Sequence, residues 1–218
     1  MHAARALFFA LIPTLASCQL FHEQPESVAA APVRLQGELT LQNGQWLLRP
    51  CQEQRRLELK SSAKSGLTED AAGLLTPGAP LFADLRGRLA ASPNADSDGQ
   101  FEVLQRYRLQ QGPGCDDANF KHLTLQASGP SWSLAVSAKG LILERPGQSP
   151  LVLPYVEEQL PEDRLSLTSE ANGQRLELWV APQRCVSEDG GVQHLSAELR
   201  LDGQVQRGCA YQGGARDD

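Results

Sequence analysis

The chain is poor in the residues that most site chemistry needs. It has four histidines and one methionine in 218 residues, and aromatic residues make up 6%. No Gly-x-Ser-x-Gly run occurs, no Cys-x-x-Cys occurs, and no histidine lies within a few residues of Cys51, Cys115, Cys185 or Cys209. These absences remove the signatures of a nucleophile elbow, a dithiol redox pair and a thiolate zinc site. A cationic surplus is missing too: 20 Lys and Arg stand against 26 Asp and Glu, a net charge of −6. That balance disfavours binding to a phosphate backbone, so nucleic acid is not expected as a partner. Past the first twenty residues no apolar run approaches the roughly 18 residues of a membrane-spanning helix. What is present, 41% hydrophobic and 21% charged residues, is the composition of a globular chain.

The N-terminus carries one cation, Arg5, then an apolar stretch from Ala6 to Leu15, then Ala16 and Ser17. Ten residues at about 1.5 Å each span roughly 15 Å, half a hydrocarbon core of about 30 Å. The stretch therefore suits the apolar segment of a secretory leader better than an anchor. Leu15-Ala16-Ser17-Cys18 resembles the lipobox of bacterial lipoproteins. The resemblance implies cleavage of residues 1–17 and acylation of Cys18, which becomes the membrane attachment of the mature chain. Two or three acyl chains suffice for stable anchoring, at about 0.8 kcal/mol per buried CH₂. Gln19, rather than Asp, follows the lipidated position; by the family's sorting rule this implies the outer membrane, with the chain facing the periplasm. Residues 18–32 read as a lipidated, Ala/Pro-rich tether.

With Cys18 assigned to lipid, four cysteines remain. In an oxidising compartment an even set reads as two disulfides, with three connectivities open. Cys185 and Cys209 flank a hairpin-like stretch, which favours Cys185–Cys209 and leaves Cys51–Cys115.

Turn dipeptides punctuate the rest: Asn43-Gly44, Asp98-Gly99, Asn172-Gly173 and Asp202-Gly203 sit between runs of period-2 alternation. That pattern predicts antiparallel hairpins. Alternation is clean where Leu195, Ala197, Leu199 and Leu201 share one face, with His194, Ser196, Glu198 and Arg200 on the other; Trp132, Leu134 and Val136 alternate in the same manner with serines. One short helix is expected within residues 66–76, with Thr68 as N-cap and Pro77 and Pro80 as stops. The expected fold class is all-β and mostly antiparallel, one or two small disulfide-stapled barrel- or sandwich-like subdomains. Trp46 precedes Cys51 through a proline, and Trp179 precedes Cys185 through another. This echo suggests two related subdomains, 33–112 and 116–213, with a 214–218 tail.

The second of these carries Gly129-Pro130-Ser131-Trp132, then Cys185 ahead of an acidic-Gly turn, then Leu201-Asp202-Gly203 and Arg207-Gly208-Cys209-Ala210. In these features the last 95 or so residues resemble an uncharacterised family of proteobacterial envelope lipoproteins with a C-terminal small β-barrel-like domain. Members usually have Glu-Pro-Phe-Trp where this chain has Gly-Pro-Ser-Trp, so a ligand corner in relatives would be weakened here. The broader comparison, with envelope proteins of stress and metal homeostasis, is fold-level analogy.

Candidate chemistry is sparse. His122 follows Asp116 and Asp117, too few and too sequential for a defined metal geometry; His194 sits on the polar face of its strand. Glu157, Glu158, Glu162 and Asp163 read as a solvated acidic loop. Arg86/Arg88 and Arg106/Arg108 are spaced i, i+2, hence expected on one strand face each. A register placing Arg106 by Asp84 also places Arg88 by Glu102, a charge ladder worth about 0.2–1 kcal/mol per pair. The competing use of these arginines, with Trp132, is to line a site for an anionic headgroup or cell-wall carboxylate. Trp46, Trp132 and Trp179 read first as packing residues. No catalytic residue, cofactor or metal is expected. The expectation is a non-enzymatic binding or interaction module of the envelope, partnered by the membrane through Cys18 and by another envelope protein. A small-ligand or metal-binding module is the second reading, a cell-wall hydrolase the third.

Overall fold

The computed structural model describes residues 30–62, 65–92, 96–112, 114–171, 173–201 and 203–216. The leader, Cys18, residues 19–29 of the tether, His22 among them, and the last two residues of the tail lie outside the described residues. Asn43 and Gly44 both take positive φ, 49° and 78°, as a two-residue type I′ turn requires. They join β1 (Val33–Gln42) to β2 (Gln45–Pro50), with Leu39 opposite Leu48. β3 (Leu57–Ser61) continues the meander, and α1 (Leu67–Leu74) follows. Leu67, Ala71 and Leu74 form the buried stripe of α1, so the helix has to begin at Leu67. The N-cap is therefore Gly66, at φ 61°, and Thr68 is an exposed residue of the first turn rather than the expected cap.

β4 (Leu81–Ala90) and β5 (Gly99–Gln111) complete a five-stranded barrel ordered β5-β3-β2-β1-β4-β5, with β3 and β5 parallel. This order, with a helix between the third and fourth strands, is that of an OB-type barrel. Asp98-Gly99 is not the hairpin turn expected of it, because β4 and β5 are joined by the longer 91–98 connection. Asp98 instead accepts the Arg56 N–H on Oδ2 at 2.7 Å and donates its own N–H to the Arg56 carbonyl at 2.8 Å. It thereby pins the starts of the two parallel strands together. Leu39, Leu48, Leu57, Leu85, Phe101 and Leu109 are among the residues that fill this barrel.

The second sheet is antiparallel throughout: β6 (Leu123–Gly129), β7 (Trp132–Ser137), β8 (Gly140–Glu144), β9 (Leu151–Leu153), β10 (Val156–Leu160), β11 (Arg164–Ala171) and β12 (Gln174–Ala181). Then come a two-stranded arm, β13 (Cys185–Val186) and β14 (Val192–Gln193), and the last pair, β15 (Leu195–Leu201) and β16 (Gln204–Gln212). The sheet runs β10-β11-β12-β15-β16-β6-β7-β8-β9. Its two edges, β9 and β10, are separated in the chain only by Pro154 and Tyr155. The sheet thus curls round until its edges meet through one bent segment. Its interior is filled by leucines such as Leu134, Leu167, Leu178 and Leu199, and by Trp132 at 3% exposure. The chain is all-β; β7 and β15 of the second sheet keep the alternation read from the sequence, whereas in the first sheet residues 81–85 of β4 are all buried.

The two sheets have different strand orders, so the Trp–Cys echo marks no structural repeat. The 116–213 segment is also not self-contained. The arm crosses over and joins the first sheet, Val192 pairing with Leu109 and Gln193 with Arg108.

Both expected disulfides form, Cys51–Cys115 and Cys185–Cys209, with Cα–Cα distances of 5.4 and 5.5 Å. Cys51–Cys115 ties the end of β2 to the link between the barrels. Cys185–Cys209 ties the arm to the outer face of β16.

Candidate functional site

The expected register between β4 and β5 is altered by two bulges. Arg88 does stand opposite Glu102, but Asp84 faces Arg108, and Arg106 faces Leu85. Two extra residues on β5, Leu104 and Tyr107, produce the shifts. Arg106 and Arg108 therefore do not share a face. Arg106 shares the inner face with Leu85 and ion-pairs with Asp70 of α1. Arg108 lies on the outer face with Asp84, at the seam between the barrels.

That seam is polar and buried. Asp84, with 0% exposure, receives Arg34 Nε and Nη2, each at 2.8 Å, and Gln36 Nε2 at 3.1 Å. Arg34 also donates to the carbonyls of Gln212 at 2.7 Å and Gly213 at 3.2 Å. One guanidinium thus binds a carboxylate of the first barrel and the terminal strand of the second. It lies 3.6 Å from the centroid of the Tyr107 ring. His194, expected to be exposed, is half-buried here, with its backbone N–H on the Tyr107 carbonyl at 3.0 Å and its ring edge-on to Tyr107. Burial, reinforced by the Arg34 charge, pushes its pKa down from 6.5 to about 4.

The arm rises beside the seam. Ser187 donates to Asp189 in its tip, and that bond holds the Asp189 carboxyl below its ordinary range. Arg184 at its base reaches Asp70 Oδ1 at 2.6 Å, where Arg106 also binds. Burial raises the Asp70 pKa, but the bond from Arg184 and the two guanidinium charges outweigh it, and the group sits below the usual carboxylate range. Held at both ends, the arm walls a groove of about 1590 Å³ against the outer face of the second barrel. Ser133, Ala135, Ser196 and Glu198 form part of its floor, together with Trp179, which is 42% exposed. Arg200 lies over the Trp179 ring at 5.5 Å. Five arginines and five carboxylates line the groove, so it is neutral where the whole chain is acidic.

Arg108 lines the groove where the floor meets the seam. It is 7% exposed, and its guanidinium lies between the rings of Phe82 at 4.6 Å and Tyr211 at 4.2 Å. Nη1 donates to the Tyr211 hydroxyl at 2.7 Å, and burial raises the pKa of that phenol. Nε and Nη2 have no partner among the described residues; nor does Oε1 of Gln193, which stands directly opposite on β14. No carboxylate lies within ion-pair distance of Arg108 among the described residues.

Of the candidate ligand-lining residues, the groove thus takes in Arg108. Trp132 lies in the core, where Gly129 makes room for it: a Cβ there would stand 2.3 Å from the indole Nε1. Arg86 and Arg88 lie on the outer face of β4, away from the groove lining. His122 lines the groove, exposed, near Asp117, and no group of three metal-binding side chains gathers among the described residues. Glu157 pairs with Arg216 and Glu162 with Arg164, which separates the acidic stretch into two ion pairs. Sequence reasoning missed Gln193, Tyr211 and Arg34, and placed Asp84 beside Arg106 rather than in the seam with Arg34. A lone aspartate in the otherwise apolar run Leu81–Leu85 was the legible signal for the place of Asp84.

No protein-family model, no curated protein and no solved structure matches the chain.

Proposed function

We propose that the chain is an exported lipoprotein, held to the outer membrane through Cys18, that works on the periplasmic side as a non-enzymatic binding module with the groove as its contact surface. The observation that carries this is the pairing of cysteines. All four outside the leader region are consumed in two disulfides, which suits an oxidising compartment and leaves Cys18 of the lipobox as the odd one. The groove supports binding rather than catalysis. His194 is half-buried at the seam with its Nδ1 at the Tyr107 carbonyl, so it stands as a packing group and not as a base beside a nucleophile.

Intact mass of the protein extracted from its native membranes, alkylated with and without prior reduction, tests the reading. The expected mass is that of residues 18–218 plus acyl chains, with alkylation only after reduction. A full-length unlipidated chain with free thiols would overturn it. In-place crosslinking from a photoreactive residue at position 196 would then capture whatever occupies the groove.

A further inference from the structure

Arg108 is the anomaly of this molecule. Taking a guanidinium out of water without a counter-ion costs several kcal/mol, and native structures leave few buried donors unpaired. Arg34 at the seam and Arg106 inside the first barrel each have an aspartate. Arg108 has two aromatic faces and one phenol, while Nε and Nη2 have no acceptor among the described residues. Nε–H and Nη2–H are the two parallel donors of the side-on fork that matches the two oxygens of a carboxylate. The neighbouring Asp84 does not fill the role, because its oxygens are taken by Arg34 and Gln36.

We propose that Arg108 is the carboxylate-recognition point of the groove, and that its ligand is an extended peptide with a free C-terminal carboxylate. This rests on the reading of the chain as a binding module and names what it binds. Three features favour a peptide. The groove exceeds the roughly 300–1000 Å³ of small-molecule pockets. Its charges balance, so it suits a mostly neutral chain with one charged end. Uncharged hydrogen-bonding side chains, Gln126, Gln183, Ser128, Ser133 and Ser196, line it in positions to meet peptide N–H and C=O groups. Gln193, opposite Arg108, turns its amide aside to admit the carboxylate and then donates to it.

The test uses the purified protein, titrated with N-acetyl-alanyl-alanine and with its C-terminal amide, and follows the side-chain Nε–H NMR signal of Arg108. The expected result is a saturable shift with the acid and binding roughly 10- to 100-fold weaker for the amide. Arg108→Lys, which keeps the charge and loses the fork, is expected to weaken the acid by a similar factor. The acid–amide comparison on the unaltered protein decides the matter if that variant does not fold. Peptides ending in D-alanine and L-alanine separate the two sources of this chemistry. Preference for D points to cell-wall stem peptides, and preference for L, or none, to protein C-termini. The proposal is overturned if acid and amide bind alike, or if the acid gives no shift up to about 10 mM. A ligand-free Nε–H already bonded to the Gln193 carbonyl would overturn it as well. None of these results touches the mass and alkylation pattern, so failure here leaves the export reading standing.

Discussion

In the second barrel each strand is hydrogen-bonded to the strand that follows it in the chain, save at the edges β9 and β10 and where the arm intervenes between β12 and β15, and β16 returns to β6. In the first barrel closure depends on β3 pairing in parallel with β5 and on β1 pairing with β4, across the helix and a long connection. The interiors differ accordingly. The second holds mostly aliphatic side chains, with Trp132 and the buried hydroxyl of Ser169, while the first admits a charged pair, Arg106 with Asp70, at the end covered by α1. Local pairing leaves little to be resolved by polar contacts. Non-local pairing needs bulges, a plugging helix and buried ion pairs to hold its register.

The seam offers the hardest test of that contrast. Asp84→Ala leaves Arg34 buried without its carboxylate and is expected to cost about 3–5 kcal/mol. Chemical denaturation checks this, and a cost under about 1 kcal/mol would mean that the barrels do not depend on one another through this pair. Next come the disulfides. The spans of 64 and 24 residues predict losses of ~4 kcal/mol for the Cys51→Ser/Cys115→Ser variant and ~3.5 kcal/mol for Cys185→Ser/Cys209→Ser. Equal or reversed losses, by the same measurement, would show that the first barrel does not need the stronger tie.

The pH dependence follows from His194. Its folded pKa, about 4, lies below the ordinary 6.5. Between those values the unfolded chain binds the extra proton, so stability is complete above pH 6.5 and is lost as pH falls towards 4, by roughly 3 kcal/mol. Thermal melts across that window should flatten in His194→Gln. An unchanged slope would remove His194 as the acid-sensitive element of the seam. The smallest effect is expected at Trp179, on the outside of the second barrel. Trp179→Ala should change stability by no more than about 0.5 kcal/mol, whereas Trp132→Ala, in the interior of the same barrel, should cost about 3–5 kcal/mol. Comparable losses at the two tryptophans would contradict the inside–outside assignment.

Legibility in the sequence follows the same division. The turn at Asn43-Gly44 and the hairpins β11–β12 and β15–β16, which carry Gly173 and Gly203 at positive φ, could be read because Asn-Gly and Asp-Gly pairs favour such turns and are flanked by alternating runs. Asp98-Gly99 looked the same, yet its carboxylate serves a contact with Arg56, over forty residues away. The helix could be placed but its cap could not, since burial of Leu67 outweighed the capping preference of Thr68. Arg108 stood among the candidate site residues on spacing alone. Its partners Tyr211 and Gln193 come from strands more than eighty residues downstream, and no local pattern joins them.

Short-range chemistry in the chain determines the all-β class, most strand positions, the inward faces of the second barrel and the even cysteine set, because alternation and turn residues act within a few positions. Tertiary structure decided the bulged register of β5, the crossing of the arm into the first sheet, the buried Arg34–Asp84 seam and the unpaired fork of Arg108. Each of these depends on which distant strands share one desolvated space, and there the cost of an unpaired charge or carbonyl outweighs any local preference.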